Sequence, residues 1–299
     1  GNGRAEDVIS IRAGLEAGFK GGLWYAAGCD YDGSDTAGFA EAVHAAEASD
    51  VVILCLGEKA NWSGENKSRS RIELPPIQEK LIDAIQATGK PIILLITAGR
   101  PIGLHTIEPK VGAILFTWQP GIMAGRAIAD VLLGRRNPSG KLASTFPRTT
   151  GHIPSYYCEH QRARPKSGLY GDIETAPIYE FGHGLSYTTF EYKDLRLSAG
   201  SIDRKDTLTA TVTLMNTGAM AGKETVFWYV RDPEASITQP FRRLIAFEKV
   251  ELAPGGSREV SLAVNPMEHL SFPDSDGQRI LEAGTFILEV SRKLQAEFI

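Results

Sequence analysis

The chain has 299 residues, of which 42% are hydrophobic and 23% are charged. This length suits about two domains, and the apolar fraction excludes an intrinsically disordered protein. The 32 basic and 36 acidic residues give a net charge of -4 without a basic stripe, so no nucleic-acid partner is expected. No apolar run approaches the roughly 18 residues of a membrane span, so no membrane partner is expected either.

The cysteines and histidines do not predict a disulfide framework or a metal site. Cys29, Cys55 and Cys158 are an odd number without metal-type spacing, and the six histidines lack i, i+4 pairs. The amino terminus has no signal-peptide pattern. These features do not decide the cellular compartment, because periplasmic, secreted and cytoplasmic locations are all compatible with them.

The first half of the chain alternates between strand and helix patterns, after a short apolar stretch at 22–27. Continuous aliphatic runs predict strands buried on both faces at 51–56, 92–96 and 111–116. Helical patterns lie at 39–48, 76–88 and 121–133. This alternation predicts an α/β fold with a mostly parallel sheet flanked by helices.

The rest of the chain has a different pattern. Residues 147 to 186 are rich in Pro, Gly, Tyr and His and predict an extended connection. About seven short strands then predict an antiparallel β-sandwich. The clearest of them lie at 207–214, 226–230, 244–250, 259–264 and 285–290. We therefore expect an α/β domain at 1–146, a linker at 147–188 and an all-β sandwich at 189–299.

The loop after the first buried strand is the candidate functional segment. It runs over residues 57–71, is long and polar, and carries Glu58, Trp62 and Glu65. Ligands of parallel α/β sheets gather at the carboxyl ends of the strands. Aromatic faces stack on sugar rings, and carboxylates supply general acid/base chemistry. The pattern indicates a sugar-handling site; the alternative is a solvated loop whose glutamates pair with Arg69 or Arg71.

The segment Leu56-Gly57-Glu58 … Ser63-Gly64-Glu65 … Ser68-Arg69 … Leu74-Pro75 resembles the acid/base loop of glycoside hydrolase family 3, the β-glucosidase and β-xylosidase family. Further blocks of that family follow in order and include Gly89-Lys90-Pro91, Gly99-Arg100-Pro101, Asn137-Pro138-Ser139-Gly140, Tyr179-Glu180-Phe181-Gly182-His183-Gly184 and Leu252-Ala253-Pro254-Gly255. The resemblance covers nearly the whole chain. It implies an α/β sandwich domain followed by a fibronectin type III-like sandwich.

The resemblance also implies roles for the residues of the loop. Glu65 matches the general acid/base of these retaining enzymes, in which an aspartate on a (β/α)8 barrel attacks the anomeric carbon. Trp62 is expected to line the subsite of the leaving group. Arg69 is expected to anchor the loop by pairing with a carboxylate, and Glu58 is either a structural group or the rival acid. The implied substrate is an oligosaccharide or an aryl or alkyl β-glycoside, with no metal or organic cofactor.

The chain departs from the family pattern in one important respect. It has no nucleophile motif and no room for a barrel of roughly 250 residues, and the comparison with the family pattern leads us to expect that the strand which opens the family's α/β domain is missing before Gly1. We expect a carboxyl-terminal half that is inactive alone and that binds a barrel polypeptide or self-associates. Two alternatives stay open: a non-catalytic carbohydrate- or protein-binding scaffold, and a flavodoxin-like nucleotide binder. The second is disfavoured because this chain has no usable glycine-rich phosphate loop.

Overall fold

A computed structural model describes residues 4–160 and 170–299 of the chain, which divides into two compact units. The first unit comprises Gly1–Arg136, Thr145–Ser155 and Ile173–Tyr179, and the second comprises Asn137–Ser144, Tyr156–Asp172 and Glu180–Ile299. The expected linker thus contributes residues to both units, and its residues 161–169 lie outside the described part. The domain boundaries at 146 and 188 stay a prediction.

The first unit is a parallel sheet flanked by helices. Its strands are β1 (Val52–Gly57), β2 (Ile92–Thr97) and β3 (Ala113–Phe116), and its helices are α1 (Ile11–Gly18), α2 (Phe39–Glu47), α3 (Pro76–Gln86) and α4 (Ala124–Leu132). The sheet order is β1-β2-β3, and the register pairs Gly57 with Thr97 and Ile96 with Phe116. The carboxyl ends of the three strands therefore meet at one edge of the sheet.

The amino-terminal part of this unit differs from what the sequence pattern suggests. The apolar stretch at 22–27 forms no strand, and Trp24 and Tyr25 are exposed. Helix α1 was not predicted, although the Ser10 hydroxyl caps it by accepting a hydrogen bond from the Ala13 amide at 3.1 Å. It packs on α4 through glycines, because a Cβ on Gly14 would lie 2.1 Å from the carbonyl oxygen of Gly125. Glycine lowers helix propensity, which explains why the pattern missed α1.

The second unit is an antiparallel β-sandwich, in agreement with the predicted fold class. Its strands are β4 (Phe190–Leu197), β5 (Leu208–Asn216), β6 (Gly222–Arg231), β7 (Arg243–Leu252), β8 (Ser257–Val264), β9 (Phe272–Pro273), β10 (Arg279–Ile280), β11 (Phe286–Val290) and β12 (Leu294–Phe298). One sheet has the order β12-β11-β6-β7, another has the order β4-β5-β8, and β9 pairs with β10. Alternate residues of these strands form the core, which includes Val212, Trp228, Val250 and Leu288. Across 4–160 and 170–299, no helix has the length and apolar character that a membrane span requires.

Candidate active-site loop

The candidate loop leaves the sheet at the carboxyl end of β1, beside the end of β2. Gly57 has a φ of 145°, and a Cβ there would lie 2.0 Å from the carbonyl oxygen of Thr97. Only glycine tolerates both the backbone conformation and this close approach. The next residue, Glu58, donates its backbone amide to the same Thr97 oxygen at 2.9 Å. The start of the loop is therefore fixed on β2.

Glu58 is a buried carboxylate between two arginines. Its side chain is 5% exposed, and the Arg100 Nε lies 3.0 Å from Oε1 and 3.2 Å from Oε2. The Arg69 Nε lies 3.6 Å from Oε1. A buried charge is tolerated only when it is paired in this way. The two residues expected to anchor the loop, Glu58 and Arg69, thus lie together, and Glu58 also pairs with a third residue, Arg100.

Arg100 also binds the backbone of the loop itself. Its Nη2 donates to the carbonyl oxygen of Lys67 at 2.9 Å and to that of Trp62. The preceding Gly99 packs against Ser63 so closely that a Cβ on Gly99 would lie 1.8 Å from the Ser63 Oγ. The turn after β2 is therefore in direct contact with the middle of the loop.

Trp62 ends a short 3-10 helix, Ala60–Trp62, is half-buried, and has two cations near its ring. The Arg69 guanidinium lies 4.3 Å from the centroid of its ring, and the Lys59 Nζ lies 5.5 Å from that centroid. Both distances are within the range of cation–π attraction. Arg69 consequently joins the indole of Trp62 to the carboxylate of Glu58.

Glu65 is the exposed carboxylate of the loop. It lies in a turn between Gly64, with a φ of 126°, and Asn66, with a φ of 59°. No hydrogen bond or ion pair joins its carboxylate to any other residue that the structure describes. Arg69 pairs with Glu58 instead, and the Arg71 Nε lies 3.9 Å from Glu73. The turn therefore presents Glu65 to solvent, without a partner in the described part of the chain.

The far end of the loop is fixed by Glu73. Its carboxylate accepts hydrogen bonds from the Thr150 amide at 2.8 Å and from the Thr150 hydroxyl at 2.9 Å. Burial alone would raise the pKa of Glu73, but these hydrogen bonds, with a contribution from Arg71, hold it below its ordinary value. The loop is thus attached to the first unit at both ends.

The arrangement suits proton transfer by a carboxyl group, because one carboxylate of the loop is exposed to solvent. In the described part of the chain, no group of three or more His, Cys, Asp or Glu side chains is placed to hold a metal ion. Sequence reasoning missed the part that Arg100 plays, although it follows the strand beside β1. The available signal was the rule that residues following adjacent parallel strands share one edge of the sheet.

Comparisons with known proteins fit this architecture. The model of the "Glycosyl hydrolase family 3 C-terminal domain" matches residues 1–187, and that of the "Fibronectin type III-like domain" matches residues 224–293. A β-xylosidase of Formosa agariphila is 38% identical over 91% of this chain and 38% of its own length. A periplasmic β-glucosidase of Salmonella typhimurium is 41% identical over 82% of this chain and 33% of its own length.

Solved structures give the same picture. A β-glucosidase from Listeria innocua in complex with glucose matches 99% of this chain with a TM-score of 0.93 and 34% identity. The match covers 42% of that protein, so this chain spans less than half the length of the relatives it matches. The chain belongs to glycosyl hydrolase family 3.

Proposed function

We propose that this chain is the acid/base-bearing part of a retaining, exo-acting β-glycosidase that hydrolyses terminal β-linked sugars. Glu65 is the proton donor, and the nucleophilic aspartate lies on a barrel domain outside this chain. The observation that carries the proposal is the contrast between the two glutamates of the loop. Glu65 is exposed and has no ion-pair or hydrogen-bond partner among residues 4–160 and 170–299, whereas Glu58 is buried between Arg69 and Arg100.

The reaction has two steps that place different demands on Glu65. In the first step, its carboxyl proton passes to the glycosidic oxygen while the aspartate attacks the anomeric carbon and the leaving group departs. In the second step, the resulting carboxylate takes a proton from water, which attacks the glycosyl-enzyme and releases the sugar. Retaining enzymes hold the two carboxyl groups about 5 to 5.5 Å apart. A glutamate committed to a permanent ion pair could not exchange a proton in this way, which argues against Glu58.

The substrate class follows from the relatives and from the aromatic residue beside Glu65. Relatives are called β-glucosidases and β-xylosidases, and the Listeria innocua enzyme was crystallised with glucose and, as a mutant, with laminaribiose. We expect terminal β-linked glucose as the sugar here, with Trp62 lining the subsite of the leaving group. Aromatic faces pack against the apolar face of a pyranose ring, and the half-buried indole of Trp62 is held in place by Arg69.

The test compares the chain alone with the chain combined with the barrel polypeptide of the same organism. We expect no hydrolysis of an aryl β-glucoside by the chain alone and measurable hydrolysis by the combination. Glu65→Gln in the combination should lower kcat/KM about 10²- to 10⁴-fold, because a general acid is lost. Glu47→Gln changes an exposed glutamate on α2 and serves as the control.

Two outcomes would overturn the proposal. Turnover by the chain alone that disappears in Glu65→Gln would show that the second carboxylate is on this chain. Absence of hydrolysis after the barrel is added, together with retained binding of the glucoside, would favour the non-catalytic scaffold.

A further inference from the structure

We propose that Arg100 is a positioning residue, which holds the loop so that Glu65 keeps one place relative to the sheet. The inference rests on the proposed function of Glu65 and adds a residue to it. Arg100 belongs to the turn after β2, and Glu65 belongs to the loop after β1, so the two are far apart in sequence. Their link is the backbone of the loop.

One guanidinium binds the loop on both sides of Glu65. The Arg100 Nη2 donates to the carbonyl oxygen of Trp62 and, at 2.9 Å, to that of Lys67. The first carbonyl precedes Glu65 and the second follows it. The segment between them is consequently tied at both of its ends to a single side chain, and Glu65 lies at its tip.

The guanidinium is itself held in place. Its Nε faces both carboxylate oxygens of the buried Glu58, at 3.0 Å and 3.2 Å. Glu58 directly follows β1, so the counter-ion of Arg100 is fixed to the sheet. A lysine offers a single ammonium point charge, whereas arginine offers donors on several nitrogens in a rigid plane. Only arginine can bind the carboxylate with one nitrogen and the two carbonyls with another.

Two further contacts make the position of the loop sensitive to this arrangement. Gly99 packs directly on Ser63, and Arg69 joins Glu58 to the ring of Trp62. Ser63, Arg69, Glu58 and Trp62 all belong to the loop, whereas Gly99 belongs to the turn after β2 that also carries Arg100. Catalytic groups must be held within roughly 0.5 Å of their productive positions. Loss of the Arg100 contacts should therefore displace Glu65 without removing it.

The experiment uses Arg100→Met and Arg100→Lys in the complex of this chain with its barrel polypeptide. Arg126→Met is the control, since Arg126 is exposed on α4 and forms no ion pair with the described residues. The first readout is hydrogen exchange of the Trp62 and Lys67 amides, which donate to Lys59 O at 3.0 Å and to Gly64 O at 3.2 Å. Arg100→Met should speed their exchange at least about tenfold, with Arg100→Lys between it and the unchanged protein.

The second readout separates acid catalysis from general damage. A 2,4-dinitrophenyl glucoside has a leaving group that needs no proton, whereas an alkyl glucoside depends on the acid. Arg100→Met should lower kcat/KM for the alkyl glucoside about 10- to 100-fold and for the dinitrophenyl glucoside less than about threefold. Arg100→Lys should show the same imbalance to a smaller degree, which keeps the test valid if Arg100→Met folds poorly.

Equal losses on both glucosides, or unchanged exchange at Trp62 and Lys67, would overturn the inference. The exchange readout does not depend on catalysis and can also be recorded on the chain alone. Faster exchange in a complex that never hydrolyses either glucoside would therefore support the contacts of Arg100 while refuting the proposed function. If Glu65→Gln abolishes hydrolysis while Arg100→Met changes neither the exchange nor the hydrolysis, the result would support the proposed function and refute the role of Arg100.

Discussion

Gln78 and Gly57 are joined by two hydrogen bonds between a side-chain amide and a backbone unit. The Gln78 Nε2 donates to the Gly57 carbonyl oxygen at 2.8 Å, and the Gly57 amide donates to the Gln78 Oε1 at 2.9 Å. The Gln78 Nε2 also donates to the carbonyl oxygen of Tyr31 at 2.8 Å. Gln78 lies in the first turn of α3 and is 2% exposed. Its amide thus satisfies the backbone at the point where the loop begins.

Replacement of Gln78 by methionine should destabilise the first unit. The substitution keeps the length of the side chain but leaves the buried amide and carbonyl of Gly57 without their partner. We expect a loss of about 2 to 4 kcal/mol in the free energy of unfolding, measured by urea denaturation. Gln86→Met, at an exposed position of the same helix, should change it by less than about 0.5 kcal/mol. A loss below about 1 kcal/mol for Gln78→Met would contradict the role of these bonds.

Gly99→Ala tests the close packing between the turn after β2 and the loop. The added Cβ would lie 1.8 Å from the Ser63 Oγ and 2.6 Å from its Cβ, so the loop must move. We expect a fall in kcat/KM of about tenfold or more in the complex with the barrel. The double variant Gly99→Ala, Ser63→Gly should recover most of the loss, because the obstructing side chain is gone. Gly112→Ala, whose Cβ would meet only Ile92 O at 3.5 Å, is the control.

Absence of recovery in the Gly99→Ala, Ser63→Gly variant would show that the contact with Ser63 is not the cause. In that case the backbone after β2, and not the loop, would be the part that alanine disturbs. Ser63→Gly alone supplies the reference activity for the double variant.

The contributions of Glu73 and Glu79 to the free energy of unfolding should change in opposite directions as the pH falls. Hydrogen bonds from Thr150 outweigh burial and hold the pKa of Glu73 below its ordinary value. The stability that they supply is present above the unfolded pKa of about 4.3 and is lost as the pH falls through the lowered pKa. Burial raises the pKa of Glu79 against a hydrogen bond from Thr106 at 3.4 Å. Its ionised form is a penalty at neutral pH, and that penalty disappears as the pH falls through the raised pKa.

Urea denaturation between about pH 6 and pH 3 measures both effects. The free energy of unfolding of the unchanged protein minus that of Glu73→Gln should decrease as the pH falls. The same difference for Glu79→Gln should increase. Each variant serves as the control for the other, since both residues belong to the first unit. If both differences change in the same direction, the lowered pKa of Glu73 and the raised pKa of Glu79 cannot both be correct.

The sequence predicts regular elements well where burial dictates the pattern. The aliphatic runs predict β1, β2 and β3 to within about two residues. The expected burial on both faces holds for most of β2, but it is wrong for β1 and β3, where Cys55 and Ala113 are exposed. Helix α1 was missed because its eight residues include Gly14 and Gly18. Strand β4 was missed as well, although its burial alternates along Phe190–Leu197.

The candidate site was predictable in its residues and not in its contacts. A resemblance could point to Glu65, Trp62, Arg69 and Glu58, because these lie within one loop. The pairing of Glu58 with Arg100 could not be read from the pattern, since it joins two loops that only the sheet brings together. The exposure of Glu65 depends on the turn formed by Gly64 and Asn66, and a loop has no periodicity from which to infer it.

Asn216 has the same structural role in the second unit as Gln78 has in the first. It is 0% exposed, and its Nδ2 donates to the carbonyl oxygens of Met220 at 2.9 Å and Leu252 at 3.1 Å. Its Oδ1 accepts hydrogen bonds from the Thr188 hydroxyl at 2.6 Å and from the Gly218 amide at 3.1 Å. One amide group thus connects the ends of β5 and β7 with the chain before β4.

Asn216→Ala should therefore lower the stability of the sandwich by about 3 kcal/mol, since four hydrogen bonds are lost and buried polar groups are left without partners. Hydrogen exchange of the β5 and β6 amides measures this effect within the second unit. Gln295→Ala changes an exposed amide on β12 and should leave that exchange almost unchanged. Asn216→Asp retains the two acceptor contacts but cannot donate to Met220 and Leu252. Its effect on exchange should therefore lie between that of Asn216→Ala and that of Gln295→Ala. Exchange in Asn216→Ala that matches Gln295→Ala would mean that the sandwich does not depend on this amide.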